Sequence, residues 1–241
     1  MTTTAGAPRC LAVMPAGGTG SRLGAEVPKQ YLDLRGEPMI ARAARGLLAA
    51  PWIERLVVVV APGDRRAEAA LAGLPRTTLL REGGPTRRDT VLAGLRCLQR
   101  EHAAGPLDWA LVHDAARPGL DLATLDGLRD ALAGDPVGGL LALPVSDTVK
   151  RADSADAPRV AGTLQREGLW LAQTPQMFRL GPLLDALARF PEVTDEAAAI
   201  ERAGLAPRLV AGSRANFKVT TADDLELMRR LLADARPAPP E

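Results

Sequence analysis

The apolar positions of this 241-residue chain fall into short blocks whose period changes from one block to the next. Leu11 to Met14 is a continuous apolar run, and residues 53 to 62, IERLVVVVAP, are apolar on both faces, as a strand covered above and below would be. Between them, Pro38 to Ala50 has helical spacing with proline in the first turn, where a missing N–H costs nothing. Residues 64 to 73 predict a short helix and Thr77 to Leu80 a strand. Gly83 and Gly84 make a turn, and Thr86 is placed to cap a helix whose apolar stripe is Val91, Leu92, Leu95 and Leu98. Residues 109 to 118, WALVHDAARP, read as a strand ending in a loop, 122 to 133 as a helix and 138 to 145 as a further strand. Strand alternating with helix predicts an α/β fold, a mostly parallel sheet with helices on both faces.

The rhythm breaks between Ser146 and Gln176, where polar residues dominate and two extended segments flank an Asp/Ser/Ala turn. A hairpin of that length cannot bury its own faces, so this stretch is expected to be an extended β-arm leaning on its own domain or on a partner subunit. Helices then resume at 181 to 190 and 195 to 203, followed by a strand at 208 to 211, the segment NFKVTT, and a last helix at 222 to 232. Thr221 suits its N-cap, and Asp223 and Asp224 in its first turn favour the helix dipole. The organisation expected is one domain over 9 to 235, between a flexible start (1 to 8) and a disordered tail (236 to 241).

Composition narrows the function. With 46% hydrophobic residues the chain can bury a full core, and a formal charge of +1 gives no general field for a nucleic-acid backbone. No basic patch is interleaved with aromatics, which sets polymeric nucleic acid aside. The start lacks the apolar run of a secretory signal, and no stretch approaches the roughly 20 apolar residues of a membrane span, so a cytoplasmic location away from membranes is expected. Cys10 and Cys97 have neither zinc nor disulfide spacing and read as buried free thiols. His102 and His113 are the chain's two histidines, too few for a histidine-rich metal site, and no Ser-His-Asp arrangement is evident.

Against that background the stretch VMPAGGTGSRLGAEVPKQ, residues 13 to 30, carries the most chemistry. A strand opens through Ala16 into Gly17, Gly18 and Gly20, three glycines whose missing Cβ lets backbone N–H groups approach an anion, and Arg22 and Lys29 add fixed positive charge. It is not a P-loop, because Gly20 is followed by Ser21-Arg22, and GTGSRLG lacks the third spacing of a dinucleotide loop. A nucleoside triphosphate held by backbone amides, Arg and Lys fits what is left. Only Lys29, Lys150 and Lys218 among thirty basic residues are lysine, so these positions are candidates for close phosphate contact. Asp114 and Arg117 fall just past the carboxyl end of a strand, where open α/β sheets place ligands. Asp114 suits Mg²⁺ beside a triphosphate and Arg117 a second phosphate, although an Asp-Arg surface pair would use the same residues. Thr148 with Lys150, Arg166, Thr174, Thr194 before Asp195-Glu196, and Asn216 with Lys218 serve equally as caps and exposed faces.

Taken in order, PAGGTGSR, PKQY, APGD, GGPTRRDTVLAGL, HDAARP, DTVKR, LQREGLW, AQTPQMF, TDEAAAIE and NFKVTT resemble the 2-C-methyl-D-erythritol 4-phosphate cytidylyltransferases across residues 9 to 233. The resemblance implies a Rossmann-like nucleotidyltransferase fold, a homodimer joined by exchanged β-arms, CTP as co-substrate, Mg²⁺, and release of pyrophosphate. It assigns Arg22 and Lys29 to the CTP phosphates, and Gly83, Gly84 and Thr90 to the cytosine, Thr90 standing where the family often has serine. It assigns Asp114 to the metal and ribose region, and Arg117, Thr174, Thr194 and Lys218 to the methylerythritol phosphate. Thr148 and Arg166 would join them from the partner's arm. Gly17 departs from a frequent alanine, and Ala215 from a frequent acidic residue.

The activity this implies is transfer of CMP from CTP to a polyol phosphate, 2-C-methyl-D-erythritol 4-phosphate, in isoprenoid precursor synthesis. Two alternatives remain open on sequence: a ribitol 5-phosphate cytidylyltransferase, whose pocket would differ by only about 1 to 3 kcal/mol of contacts, and a non-catalytic nucleotide-binding regulator.

Overall fold

The structure, a computed structural model, describes residues 7–18, 27–156 and 158–234. The expected flexible ends fall almost wholly outside the described residues, as do Gly20 and Arg22 of the glycine loop. Along the chain run β1 (Cys10–Pro15), α1 (Met39–Leu48), β2 (Ile53–Val59), α2 (Ala67–Ala70), β3 (Thr77–Leu80), α3 (Arg87–His102), β4 (Trp109–Val112), α4 (Leu122–Leu132) and β5 (Gly138–Pro144). A hairpin of β6 (Val149–Ala152) and β7 (Val160–Leu164) follows, then β8 (Trp170–Arg179), α5 (Leu180–Arg189), α6 (Glu196–Arg202), β9 (Arg208–Ala211) and α7 (Ala222–Asp234).

Seven of these strands make one sheet in the order β3-β2-β1-β4-β8-β5-β9, with β8 antiparallel to both neighbours and every other pairing parallel. Alternation along the buried strands sends successive side chains to opposite faces. Ala12, Met14, Leu56, Val58 and Leu111 meet α1 and α4 on one face. Leu11, Val13, Val57, Val59 and Val112 meet α3, α5 and α6 on the other. Gly94 sets how closely α3 lies on the sheet, since a Cβ there would be 2.5 Å from Val13 Cγ1 and 2.9 Å from Val59 Cγ2. A third cluster, Leu34, Met39, Ala116, Val219, Leu225 and Met228, docks α7. Capping follows the sequence: Thr86 accepts from the Asp89 N–H, and Thr221 from the Asp224 N–H at 3.1 Å.

The stretch expected as one extended arm over 146 to 176 divides in two. Its first part is the β6–β7 hairpin, a separate two-stranded sheet whose residues are mostly exposed. Its last part enters the central sheet as β8, where Gln173 to Phe178 are all buried. The polar letters there suggest solvent, but each has an interior partner. The Gln173 amide donates to Ser213 O at 2.9 Å, and the Gln176 amide donates to Asp195 Oδ2 and accepts from the Ala197 N–H. Buried polar side chains that are satisfied in this way carry little penalty.

Candidate active site

The sheet reverses direction of growth at β1, which has β2 on one side and β4 on the other. Crevices past the carboxyl ends of strands at such a switch point collect ligands. Here the crevice is a cleft of about 370 Å³. Pro15 to Gly18 line it from the end of β1, Asp114 to Ala116 from the end of β4, and Gly84 to Arg87 and Thr90 from the start of α3. Lys29, Gln30, Lys218 and Thr220 complete the wall.

Local bonds fix each wall. The buried Gln30 amide donates to Ala16 O at 3.0 Å and Gly18 O at 3.1 Å, pinning the start of the glycine loop, and Lys29 Nζ donates to Val219 O at 3.3 Å. Thr90 donates its hydroxyl to Thr86 O at 3.0 Å, and a Cβ on Gly17 would come within 3.3 Å of that same Thr90 Oγ1. Gly84 is tighter still, with an added Cβ only 2.4 Å from Asp89 Cβ. Gly83 lies against Val60, donating its N–H to Val60 O at 2.8 Å, and does not line the cleft. The backbone just after Lys218 is held at two points: the Val219 N–H donates to Ala116 O at 2.8 Å, and Asp224 accepts from Thr220 N, Thr220 Oγ1 and Thr221 N. Although burial opposes it, those donors hold the Asp224 carboxyl down to about 2.

Asp114 lies at the centre of the charges. Its Oδ1 accepts from Arg87 Nε at 3.0 Å and its Oδ2 from Lys218 Nζ at 2.8 Å. Arg87 turns its other edge to Glu196, making bonds of 2.8 and 3.1 Å to the two carboxylate oxygens. Four charges therefore alternate across the site: Glu196, Arg87, Asp114, Lys218. Burial alone would raise the Asp114 carboxyl, but the Arg87 guanidinium and the Lys218 ammonium outweigh it and keep the carboxyl far below its ordinary range. Burial pushes the fully buried Glu196 up, and the Arg87 fork pulls it back toward the ionised form.

Beneath Asp114 lies a second, uncharged network. His113 is wholly buried, with Nε2 at 3.0 Å from Arg117 O and Nδ1 at 3.0 Å from Thr174 Oγ1. A carbonyl can only accept, so Nε2 carries the proton and Nδ1 accepts from the Thr174 hydroxyl. Thr174 Oγ1 in turn accepts from the Asp114 N–H at 3.0 Å. Burial drives the His113 imidazolium down from 6.5 to about 4, which keeps the ring neutral.

Of the residues expected from sequence, Ala16, Gly17, Gly18, Lys29, Gly84, Thr90, Asp114 and Lys218 converge on the cleft. Arg117 and Thr174 are buried next to Asp114 and do not line it. Arg117 spends its guanidinium on Asn216 O at 2.8 Å and Ala172 O at 3.3 Å, with Nε 3.9 Å from Asp114 Oδ2. Thr148 and Arg166 are exposed around the hairpin, Arg166 donating to Ser146 O, and Thr194 is exposed ahead of α6. None of these three lines the cleft. Asp114 is the one carboxylate among the described residues lining the cleft, with Arg87 on one oxygen and Lys218 on the other. Mg²⁺ beside a triphosphate commonly takes one or two carboxylates, the rest of its shell being phosphate oxygens and water.

Arg87, Glu196 and Gln30 are the residues that motif reading passed over. The signal for Arg87 was present: a cation at the first position of a helix opposes the macrodipole, so its retention there asks for a carboxylate partner.

The family described as 2-C-methyl-D-erythritol 4-phosphate cytidylyltransferase matches residues 10–234. A protein of that name from Bordetella pertussis is 56% identical over 230 residues, covering 92% of this chain and 98% of the relative. One from Laribacter hongkongensis is 55% identical, covering 93% and 96%. Among solved structures, a 4-diphosphocytidyl-2C-methyl-D-erythritol synthase superposes with a TM-score of 0.83 at 36% identity, covering 93% of this chain and 98% of that one. The Francisella tularensis 2-C-methyl-D-erythritol 4-phosphate cytidylyltransferase gives 0.76 at 30% identity, with 91% and 97% covered.

Proposed function

The chain belongs to the 2-C-methyl-D-erythritol 4-phosphate cytidylyltransferase family, and from that premise we propose that its cleft binds CTP beside 2-C-methyl-D-erythritol 4-phosphate and transfers CMP to it with release of pyrophosphate. The observation that carries this reading is the convergence of a glycine run, Lys29, Arg87 and Lys218 on one cleft at the sheet's switch point. The triphosphate lies along Ala16 to Gly18 with Lys29, joined by Arg22 and Gly20 from the loop. Gly84 and Thr90 face the cytosine, with Gly83 behind them, bonded to Val60, setting the turn. Lys218 receives the acceptor phosphate, with Arg117 and Thr174 fixing the floor under it and Thr194 at its edge.

In the reaction an oxygen of the acceptor phosphate attacks the α-phosphorus, and the bond from that phosphorus to the bridging oxygen breaks as pyrophosphate leaves in line. A phosphate monoester has its second pKa at about 6 and needs no general base. That agrees with His113, whose ring nitrogens are both engaged in the interior. Catalysis then consists of positioning and of fixed positive charge at the developing oxyanions. Asp114 is the cleft carboxylate that would help hold Mg²⁺ beside the triphosphate, where the ion would offset phosphate charge. The setting is the cytoplasm, and no helix among the described residues is long and apolar enough to cross a membrane.

The hairpin belongs in this reading to a homodimer that exchanges β-arms. Val160 is 66% exposed and Leu171 60% exposed, a surface suited to a second copy, while Thr148 and Arg166 lie outside the cleft of their own chain. The decisive assay is pyrophosphate release from CTP against a panel of polyol phosphates, with UTP as control. 2-C-methyl-D-erythritol 4-phosphate should be the preferred acceptor and CTP the preferred donor. Equal or faster turnover of ribitol 5-phosphate would replace the acceptor, and no release with any polyol phosphate would end the reading.

A further inference from the structure

Arg87 offers five N–H donors in a rigid plane, and three of its nitrogens are committed to two different carboxylates. The carboxylate behind it, Glu196, is completely buried, and its two oxygens receive the Arg87 fork. The carboxylate in front, Asp114, lines the cleft and takes the remaining Nε–H on one oxygen while giving the other to Lys218. Glu196 itself does not line the cleft. An arginine that merely neutralised Asp114 would present its fork to it. Here the fork faces backward and a single N–H faces forward, which fixes where the guanidinium sits and so where Oδ1 of Asp114 must be. With Oδ1 pinned, Oδ2 has one direction left, and Lys218 Nζ lies along it.

We propose that Arg87, braced by Glu196, is a positioning residue that sets Asp114 and through it the Lys218 ammonium at the acceptor side of the cleft. The proposal rests on the functional reading above for the identity of the acceptor. Lysine could not replace Arg87, because a point charge cannot hold two carboxylates in a fixed relative geometry. Removing Arg87 alone would leave Glu196 buried without its partner, and removing Glu196 alone would leave the Arg87 fork unpaired with only Nε–H bonded to Asp114, so loss of activity in a single variant could reflect loss of the fold. The pair must therefore be neutralised together.

The test compares Arg87→Gln, Glu196→Gln and the double variant Arg87→Gln/Glu196→Gln for thermal stability, kcat, and KM for each substrate. The double variant should regain stability relative to the singles, yet keep a deficit of about tenfold or more in kcat/KM for the acceptor, the scale expected of a small misplacement near the reacting groups. Its KM for CTP should stay close to wild type. A second readout needs no substrate: with [13Cε]lysine labelling the chain shows three lysines, and the two ε-methylene protons of Lys218 should be distinct in the wild type and averaged in the double variant. Recovery of turnover together with stability, or distinct Lys218 protons in the double variant, would overturn the proposal and leave the pair a structural brace. Should the double variant not fold, Arg87→Lys carries the same measurements. A wild-type protein inactive on every polyol phosphate would sink the functional reading alone, since the Lys218 signals still report the positioning.

Discussion

Lowering the pH should destabilise this protein through His113 before Asp114 and Asp224 begin to protonate, whereas Glu196, raised by burial, binds its proton more readily folded than unfolded and opposes the loss. In the folded chain the ring is neutral, donating from Nε2 to Arg117 O and accepting at Nδ1 from Thr174, and burial brings its pKa from 6.5 to about 4. Between those values the unfolded chain takes up a proton that the folded chain refuses. Stability therefore falls as the pH drops through that window and stops falling on this account below about 4. A shift of that size, at 1.36 kcal/mol per unit, amounts to about 3 kcal/mol. Asp114 and Asp224 are held below the ordinary carboxylate value of 3.8, so their losses come at lower pH. Denaturant unfolding at a series of pH values between 7 and 4 measures the slope. Repeating it with His113→Gln removes this contribution while retaining those of the carboxylates. With two histidines in the chain, ring-proton NMR separates His113 from His102 directly. A His113 signal that titrates near 6.5, or an unchanged slope in His113→Gln, would refute the assignment of the buried neutral tautomer.

Three further outcomes are expected. Lys29→Ala and Lys218→Ala should each lose about 100- to 1000-fold in turnover, or on the order of 2.7 to 4 kcal/mol, with the fold intact, as for one preorganised donor at a developing charge; either variant keeping a tenth of wild-type rate would remove that lysine from catalysis. Gly94→Ala should cost about 1 to 3 kcal/mol in denaturant unfolding, because the new Cβ meets stiff Val13 and Val59 and the overpacking exceeds the gain in helix propensity. An Arg166→Ala chain mixed with a Lys218→Ala chain should recover roughly a quarter of wild-type activity after subunit exchange, since half the dimers are mixed and one site in each is whole; no recovery in proven heterodimers would place Arg166 in its own subunit's site or outside catalysis.

The parts of the site legible in the sequence are those whose residue type is unusual where it occurs. At Gly84 a Cβ is excluded by Asp89 and at Gly17 it would crowd Thr90, and two of the three lysines in an arginine-rich chain line the cleft. The third, Lys150, sits on the exposed hairpin and bonds Thr163. β8 was illegible because its polar residues mimic a solvated arm. Thr174 and Gln176 become interior only when the strand inserts beside β4, with Val112 opposite Gln176. That register also brings Thr174 to His113 and Asp114, some 60 positions away in sequence.

Glu196 was hidden for a different reason. Asp195 already caps α6, accepting from the Ala198 N–H, so the acidic pair looks complete as a local motif. Its second member instead pairs with a residue 109 positions away, and no local pattern encodes such a partner. The same holds at the other end of the charge chain, where Lys218 and Asp114 are 104 positions apart. Local capping rules thus account for Thr86, Asp195 and Thr221, while charges that no local rule requires, Arg87 against the helix dipole and Glu196 beside a sufficient cap, are the ones the tertiary fold collects around Asp114. Charges left over after local needs are met are therefore the places to look in this chain for long-range pairs, and the double variant at positions 87 and 196 decides whether that pairing serves the fold alone or the cleft as well.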